Sequence, residues 1–416
     1  MPVGRTPFQT ARDLSHLPGL ILLETPTSTR HGGLSLVTAA PKKVLRGQIT
    51  DDWHLIANEV SAHRVDSSSD DAAPAGGLFG WVGFDGQFCF GVYPEVMVFD
   101  HGQQSWIEIG HLSDHLVHRS LAPAPRLHFE PAIERESFIA AVRAAQTYIA
   151  AGDIYQVNLS HPWLASWPAE ADALAFYNQL QHSSPAPFAA FLSLDGTDVF
   201  SSSPECFLRM SGRQIETRPI KGTRPRYPSN AAEDIASAKA LAASIKEQAE
   251  LLMITDLERN DLGQVCEFGS VHVPELAAVE SFAQVFHLVS TVRGTLRPEI
   301  DHTAAFKACF PGGSISGAPK KRALEIIAEL ERHPRGLYTG AIGYFGFNGE
   351  SQFNIVIRTA VRQGASITFH AGAGIVADSV PEHEYEETLH KAAGILGASN
   401  PRQKKIPVSA QGTHED

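Results

Sequence analysis

The stretch Ser201–Arg226, SSSPECFLRMSGRQIETRPIKGTRPR, constrains this chain more than any other. Cys206-Phe207-Leu208 and Gln214-Ile215-Glu216-Thr217 are short strand-forming runs bounded by turn residues. The pattern predicts a hairpin closed at Ser211-Gly212, whose second strand runs into Pro219-Ile220-Lys221-Gly222-Thr223. Proline fixes φ and gives up a donor, while glycine lets another chain or a ligand approach closely. Lys221 is therefore presented on stiff backbone. A hairpin also lays the segments holding Glu205 and Lys221 side by side, which sets an acid near an amine. At this point a solvated lysine paired with a nearby carboxylate remains the alternative.

The 416 residues suit two or three domains, or one large one. With 43% hydrophobic and 19% charged residues, the composition is that of a soluble globular protein with ample core. A net charge of -12 argues against nucleic acid and anionic membranes as partners, since both reward clustered Lys and Arg. An anionic substrate stays compatible if a few cations and backbone donors converge. The four cysteines (Cys89, Cys206, Cys266, Cys309) are scattered without metal spacing and read as buried thiols in a reducing cytosol. No apolar run suits a signal peptide or membrane span, so a cytoplasmic protein is expected.

Along the chain, Leu20-Ile21-Leu22-Leu23 and Leu34-Ser35-Leu36-Val37 read as strands, and Ser67 to Asp71 as a polar loop. Gly76 to Asp85 is a glycine-rich strand whose glycines suit close packing between sheets; it has no GxGxxG phosphate loop. Pro123, Pro125 and Pro131 mark the expected boundary between an N-terminal lobe (1–130) and the remainder (131–398), with a disordered polar tail over 399–416. Apolar residues at three and four predict a helix from Glu134 to Ala151, ended by Gly152, then a strand through Gln156 to Ser160. A long helix is expected over 231–259, with Ile245, Ala249, Leu252 and Met253 inward and Glu247 and Glu250 on one face.

Further on, His287 sits in a strand, and Pro311 to Lys320 is a glycine-rich turn opening a helix to about Leu330, with amides free for an anion. Leu337–Tyr344 and Phe353–Thr359 are expected as antiparallel strands. Arg358 interrupts the second, which a buried strand tolerates only with an anionic partner. Ala371 to Val376 supplies bare backbone at Gly372 and Gly374. A last helix sets Glu384, Glu387 and Lys391 on one face.

Six of these stretches (GDIYQVNLS, SPECF, PIKGTRPR, AELLMITDLERNDLG, PGGSISGAPK and EHEYEETLHKA) resemble, in order, the boxes of the chorismate-utilising enzymes. That family comprises anthranilate, isochorismate and aminodeoxychorismate synthases. The resemblance covers roughly residues 76–396. It implies an α+β fold of two antiparallel sheets packed as a sandwich, with helices around it and the active site between the lobes. It implies Mg²⁺ held by Glu250 and Glu387, oxygen ligands that suit this ion. Arg358, Tyr338 and the backbone at Gly317, Gly372 and Gly374 would orient the carboxylates of chorismate. Glu205, Lys221, Thr223 and His287 would form the catalytic set.

Within the family, lysine in the PIKGT box resembles the branch that makes aminodeoxychorismate, where other members carry alanine. Gln156 stands where water-using members carry a basic lysine, which agrees with ammonia as nucleophile. The implied reaction converts chorismate and ammonia to 4-amino-4-deoxychorismate for 4-aminobenzoate and folate synthesis, with Lys221 as covalent nucleophile. No glutaminase segment with a nucleophilic cysteine elbow is present in the sequence, so a separate glutamine amidotransferase subunit is the expected partner. An anthranilate synthase component I is the alternative enzyme. A catalytically idle paralogue that binds chorismate or tryptophan is the non-enzyme alternative. The Leu22-Leu23-Glu24-Thr25 run resembles a family box that helps form a tryptophan pocket, and an ordinary strand end accounts for it equally well.

Overall fold

The structure, a computed structural model, describes residues 4–25, 33–65, 73–282 and 284–400. The expected loop at Ser67 to Asp71 and most of the expected tail lie outside the described residues. Two antiparallel sheets dominate, one of eleven strands and one of ten. In the larger sheet the strands Gly317–Ala318, Gln156–Ser166, Ser366–Ile375, Thr359–Gln363, Thr197–Ser203 and Phe188–Leu194 lie in that order. Four strands from the first 110 residues complete its far side, from Ile21–Glu24 to Ser105–Ile109. In the smaller sheet Ile220–Pro225, Val285–Thr295, Gln214–Arg218, Cys206–Ser211, Glu350–Ile355 and Ala341–Gly346 are followed by Gly77–Val82, Gln87–Tyr93 and Val44–Gln48. Strands from both sides of residue 130 thus share both sheets.

The sheets pack face to face through Ile21, Leu36, Val98, Leu192 and Val199 on one side and Phe79, Ile342 and Tyr344 on the other. Helices cover the outer faces. Pro381–Ser399 and Ala173–Ser183 bury Ile395, Leu396, Phe176 and Tyr177 against the larger sheet. His302–Cys309 sets Phe306 into an aromatic cluster with Trp53, Phe207, Phe345 and Phe353 beside the smaller one.

Several expectations hold at the level of single elements. The hairpin turns at Ser211-Gly212, with Ser211 paired to Gln214. The helix Arg135–Ala150 ends before Gly152, whose φ of +81° stops it. The 231–259 helix is instead two, Ala231–Ala242 and Ile245–Gly263, because Ser244 turns out of helical geometry and its side chain accepts from the Glu247 amide. Its inward face is also different: Ile245 is 84% and Leu252 55% exposed, while Leu251, Ile254 and Thr255 are buried. The strand expected from Leu337 begins at Ala341, leaving Tyr338 in the preceding turn. Arg358 lies between strands rather than within one, at a φ of +50°.

The glycines of the Gly76 to Asp85 stretch serve close approach within a sheet rather than between sheets. Gly80 and Gly343 face each other in register, and a Cβ on Gly343 would lie 1.9 Å from the Gln352 carbonyl oxygen of the neighbouring strand. That contact is with backbone and cannot be relieved by a rotamer change. Gly343→Ala should therefore destabilise the protein by about 2 kcal/mol or more, visible in calorimetry as a lowered Tm, whereas Gly196→Ala, with nothing within 4 Å of its Cβ position, should cost less through its positive φ alone.

Candidate active site

Two chain segments change sheets side by side. The strand Thr197–Ser203 belongs to the larger sheet and Cys206–Ser211 to the smaller, with Pro204-Glu205 between them. The strand Glu350–Ile355 belongs to the smaller sheet and Thr359–Gln363 to the larger, with Val356 to Arg358 between them. Ser201 pairs with Thr359 and Cys206 with Asn354, so the two crossings run together. The Ile355 amide donates to the Glu205 carbonyl (3.0 Å) and the Ser202 amide to the Arg358 carbonyl (3.1 Å). Glu205 and Arg358 are thereby set where the sheets part. Burial pushes the Glu205 carboxyl up, only partly offset by the Ser314 hydroxyl and by Lys221. Burial likewise pulls Arg358 down, partly offset by Glu205.

Lys221 comes from the edge strand Ile220–Pro225, paired to Leu288 just before a register shift. Gly222, at a φ of +72°, makes that bulge. The Lys221 ammonium reaches across to the larger sheet, where it lies 3.6 Å from the position a Cβ on Gly374 would take. The Gln156 Nε2 lies 3.1 Å from that same position. Gln156 is fully buried, and neither amide atom has a hydrogen-bond partner among the described residues. A buried, unpaired amide costs stability and is the mark of a group that a ligand satisfies.

His287 stands in the strand beside Lys221, 2% exposed. Its Nδ1 lies 3.2 Å from the Gly222 carbonyl and 3.0 Å from the Thr223 hydroxyl. Since a carbonyl only accepts, Nδ1 carries the proton and Nε2 the lone pair. Burial, with Arg358 nearby, pulls the imidazole down to about 4. On the other wall Tyr338 stacks on His370 at 5.1 Å, and its hydroxyl lies 2.8 Å from where a Gly372 Cβ would sit. Gly317, at a φ of +145°, has the Gln156 carbonyl 2.2 Å from its Cβ position; its glycine is required by that packing.

Carboxylates from two helices close the cleft. Ile245–Gly263 brings Glu247 and Glu250, and Pro381–Ser399 brings Glu384 and Glu387. Burial and the charges of Glu250 and Glu387 hold Glu247 above the usual range. Burial also raises Glu384, with Glu387 adding to it. For Glu387 burial is outweighed by Lys391, 2.6 Å away, so its carboxyl falls below the usual range. Lys391 also donates to the Gly372 carbonyl at 2.9 Å. No three His, Cys, Asp or Glu side chains converge as ligands among the described residues. Carboxylate oxygens from two helices, whose charges raise Glu247 and Glu384, fit an ion that keeps most of its waters, and Mg²⁺ is such an ion.

Of the residues anticipated for the site, Gln156, Gly374, Glu205, Arg358 and Glu387 come within contact or electrostatic reach of Lys221 or of one another, and Thr223 and His287 pair across the adjoining strands. Others from the same boxes do not: Asp256 and Arg259 pair with each other on the surface (2.8 Å), and the Gly313 amide, expected free for an anion, donates to Glu258 at 2.9 Å. Sequence reading missed Arg335, which is 5% exposed and uses all five of its N–H donors. It binds Glu331 twice, the carbonyls of Ile315 and Asn158, and the Thr339 hydroxyl. It thus fastens the glycine-rich turn, the Gln156–Ser166 strand and the Tyr338 turn to one point. Its signal was an arginine directly before Gly336 and four residues after Glu331.

The fold and this cleft define a chorismate-utilising enzyme. Residues 72–397 match the family described as chorismate binding enzyme, and the chain belongs to that family. It is 41% identical over 331 residues to aminodeoxychorismate synthase component 1 of Bacillus subtilis, covering 74% of this chain and 70% of that one. It is 46% identical over 265 residues to anthranilate synthase component 1 of Geobacillus stearothermophilus, covering 64% of this chain and 52% of that one. The match spans about half the length of the anthranilate synthases of Haloarcula marismortui and Geobacillus stearothermophilus. Among solved structures, anthranilate synthase component I of Streptococcus pneumoniae superposes with a TM-score of 0.76 at 29% identity, over 89% of this chain and 93% of that one. The menaquinone-specific isochorismate synthase of Escherichia coli shares the fold, with a TM-score of 0.75 at 19% identity over 96% and 92%. Among the described residues no helix is long and apolar enough to cross a membrane.

The burial of His287 predicts a neutral imidazole. With its folded value near 4 against an ordinary 6.5, the unfolded chain takes up a proton that the folded one refuses. This group's contribution to stability is therefore present above about pH 6.5 and lost as pH falls towards 4, at ~1.4 kcal/mol per unit. Nitrogen-15 NMR of the imidazoles should show His287 as the Nδ1–H tautomer down to about pH 5; an imidazolium at pH 6 would contradict it.

Proposed function

We propose that the protein converts chorismate and ammonia to 4-amino-4-deoxychorismate, with Lys221 as covalent nucleophile. The observation that carries this reading is the placement of Lys221. Its ammonium points across the cleft at the bare backbone of Gly374, beside the unpaired Gln156 amide and within electrostatic reach of the buried Glu205. Arg358 and Tyr338, with the backbone at Gly317, Gly372 and Gly374, hold the two substrate carboxylates. Glu250 and Glu387 would hold Mg²⁺, which when bound supplies positive charge for a ring carboxylate in a cleft that is otherwise rich in carboxylates.

The steps balance as two displacements. The neutral Lys221 amine forms a bond to C2 of the ring as both ring double bonds shift and the C4–O bond breaks. Glu205, whose protonated form burial favours, gives its proton to the departing hydroxyl, which leaves as water, and takes one back from the lysine nitrogen. Ammonia then forms a bond at C4, both double bonds return and the C2–N bond to Lys221 breaks, the proton shed by the new amine passing to the lysine nitrogen. Splitting one displacement into two lowers each barrier. Gln156 lacks a base that could activate water, so the pocket favours an amine nucleophile. His287, neutral and bonded to Gly222 and Thr223, supports the bulge that aims Lys221. A glutamine amidotransferase subunit would supply the ammonia, a cytoplasmic setting would house both, and 4-aminobenzoate for folate synthesis would need a further lyase.

An anthranilate-forming activity is the second reading, favoured by relatives of that name at 46% identity. Product analysis separates the two. Chorismate, Mg²⁺ and ammonium should give aminodeoxychorismate by mass spectrometry, with no pyruvate and no fluorescent anthranilate. Lys221→Ala should lower kcat by about 100-fold or more; full activity with unchanged product would remove the nucleophile role. Glu250→Gln should raise the Mg²⁺ concentration needed for half-maximal rate by about tenfold or more.

A further inference from the structure

A second carboxamide on the strand of Gln156 also lacks a partner. Asn158 is partly buried, and its Oδ1 is buried with no hydrogen-bond partner among the described residues. Successive side chains on a strand point to opposite faces. Val157 and Leu159 pack with Ala373, Ile326 and Ile327 on the helix-covered face of the larger sheet, so Gln156 and Asn158 both face the cleft. Asn158 stands opposite Gly374 in the pairing with Ser366–Ile375, where it meets bare backbone. This is the same glycine whose Cβ position lies 3.1 Å from the Gln156 Nε2 and 3.6 Å from the Lys221 ammonium. Two carboxamides and the proposed nucleophile thus converge on one point of the cleft floor.

The Asn158 oxygen is unpaired although its backbone is held. The Asn158 amide donates to the Ser316 carbonyl at 2.9 Å, and its carbonyl accepts from Arg335 at 2.7 Å. Ser160, next on the same face, gives the contrast: its amide and its hydroxyl both donate to Glu331, at 2.7 and 3.1 Å. A buried carbonyl oxygen left unpaired on a fixed strand costs stability, and a donor from a ligand would offset that cost. The chemistry of the reactants decides which donor. The carboxylates of chorismate only accept, so they cannot pair with a carbonyl oxygen. The C4 hydroxyl can donate, but in the reaction above it takes a proton from Glu205 and leaves. Ammonia is the remaining donor, and hydrogen bonds made through its N–H groups leave its lone pair free to attack.

We propose that Asn158 is a binding residue for ammonia: its carboxamide oxygen, together with that of Gln156, accepts N–H groups of the nucleophile at the Gly374 end of the cleft, beside Lys221. The inference rests on the reading of ammonia as the nucleophile. Losing this acceptor should weaken the hold on ammonia and leave the hold on chorismate as it was. Because the Asn158 oxygen has no hydrogen bond within the described residues, removing it should not lower the stability of the fold. An asparagine kept for structure would show the opposite pattern.

The experiment measures KM for ammonia and KM for chorismate, each with the other substrate and Mg²⁺ saturating at one alkaline pH, for the wild type, Asn158→Val and Asn158→Thr. Products are identified by mass spectrometry and Tm by calorimetry. Asn158→Val removes the acceptor and should raise KM for ammonia about fivefold, with KM for chorismate within about twofold of the wild type and Tm unchanged or higher. Asn158→Thr returns a hydroxyl acceptor to the same face and should raise KM for ammonia by about twofold. An unmoved KM for ammonia in Asn158→Val would overturn the proposal. A rise in KM for chorismate alone would do so too, since the oxygen would then meet the C4 hydroxyl. Where Asn158→Val does not fold, Asn158→Thr carries the test, and a wild-type KM for ammonia there overturns it. The wild-type product keeps the two readings apart. If it is aminodeoxychorismate while Asn158→Val leaves KM for ammonia in place, this inference alone fails. If it is anthranilate, the attack at C4 is misassigned and Asn158 is still judged by the ammonia KM; isochorismate with no amine incorporated would overturn both.

Discussion

A buried carboxyl and a buried guanidinium are each costly, and a fold can hold both only if they answer one another or a ligand. This protein meets that condition through topology. Two strands of one sheet continue into two strands of the other along the same seam, and the short links carry Glu205 and Arg358. Everything else in the cleft is arranged around that seam. The edge strand brings Lys221 alongside it, the Ser366–Ile375 strand offers Gly372 and Gly374 opposite, and two helices deliver carboxylates to its mouth.

A seam of this kind gapes unless something ties the surrounding loops together. Arg335 does so with a full set of donors, drawing the glycine-rich turn, the Gln156–Ser166 strand and the Tyr338 turn to a single buried ion pair with Glu331. Because the planar fork and its five acceptor atoms match in direction, a lysine at this position could not replace it. The rigidity this gives is what lets groups such as Gln156 remain unpaired: the backbone around them cannot collapse to satisfy them, so their hydrogen-bonding capacity is held for a ligand.

The electrostatics follow the same plan. Burial raises Glu205, Glu247 and Glu384 and lowers His287, so the site holds acids whose ionised forms are disfavoured and a neutral base near groups of fixed charge. Glu387 departs from that trend because Lys391 stands against it. Charges that differ this much over a short distance are typical of a site that moves protons and binds anions.

Local pattern carried much of this in the sequence. The turn at Ser211-Gly212, the helix stop at Gly152 and the strand through Gln156 depend on residues within a few positions, and each is where the residues place it. The ordered boxes likewise made the family, and with it the double-sheet fold, readable. Periodicity failed where a polar side chain competes with the helix, as Ser244 does, and where the inward face depends on what packs against it, as with Leu251 and Leu252. It also failed at Arg358, because an apolar run that changes sheets looks the same as one that continues. The sequence by itself determined which residue types could do the chemistry and which glycines the backbone needs. Only the tertiary structure decided that Lys221 faces Gly374, that Arg335 makes five hydrogen bonds to four residues, and that the Gly313 amide is taken by Glu258. The Arg335–Asn158 bond joins positions 177 residues apart and the Gly313–Glu258 bond positions 55 apart, and no local rule relates such positions.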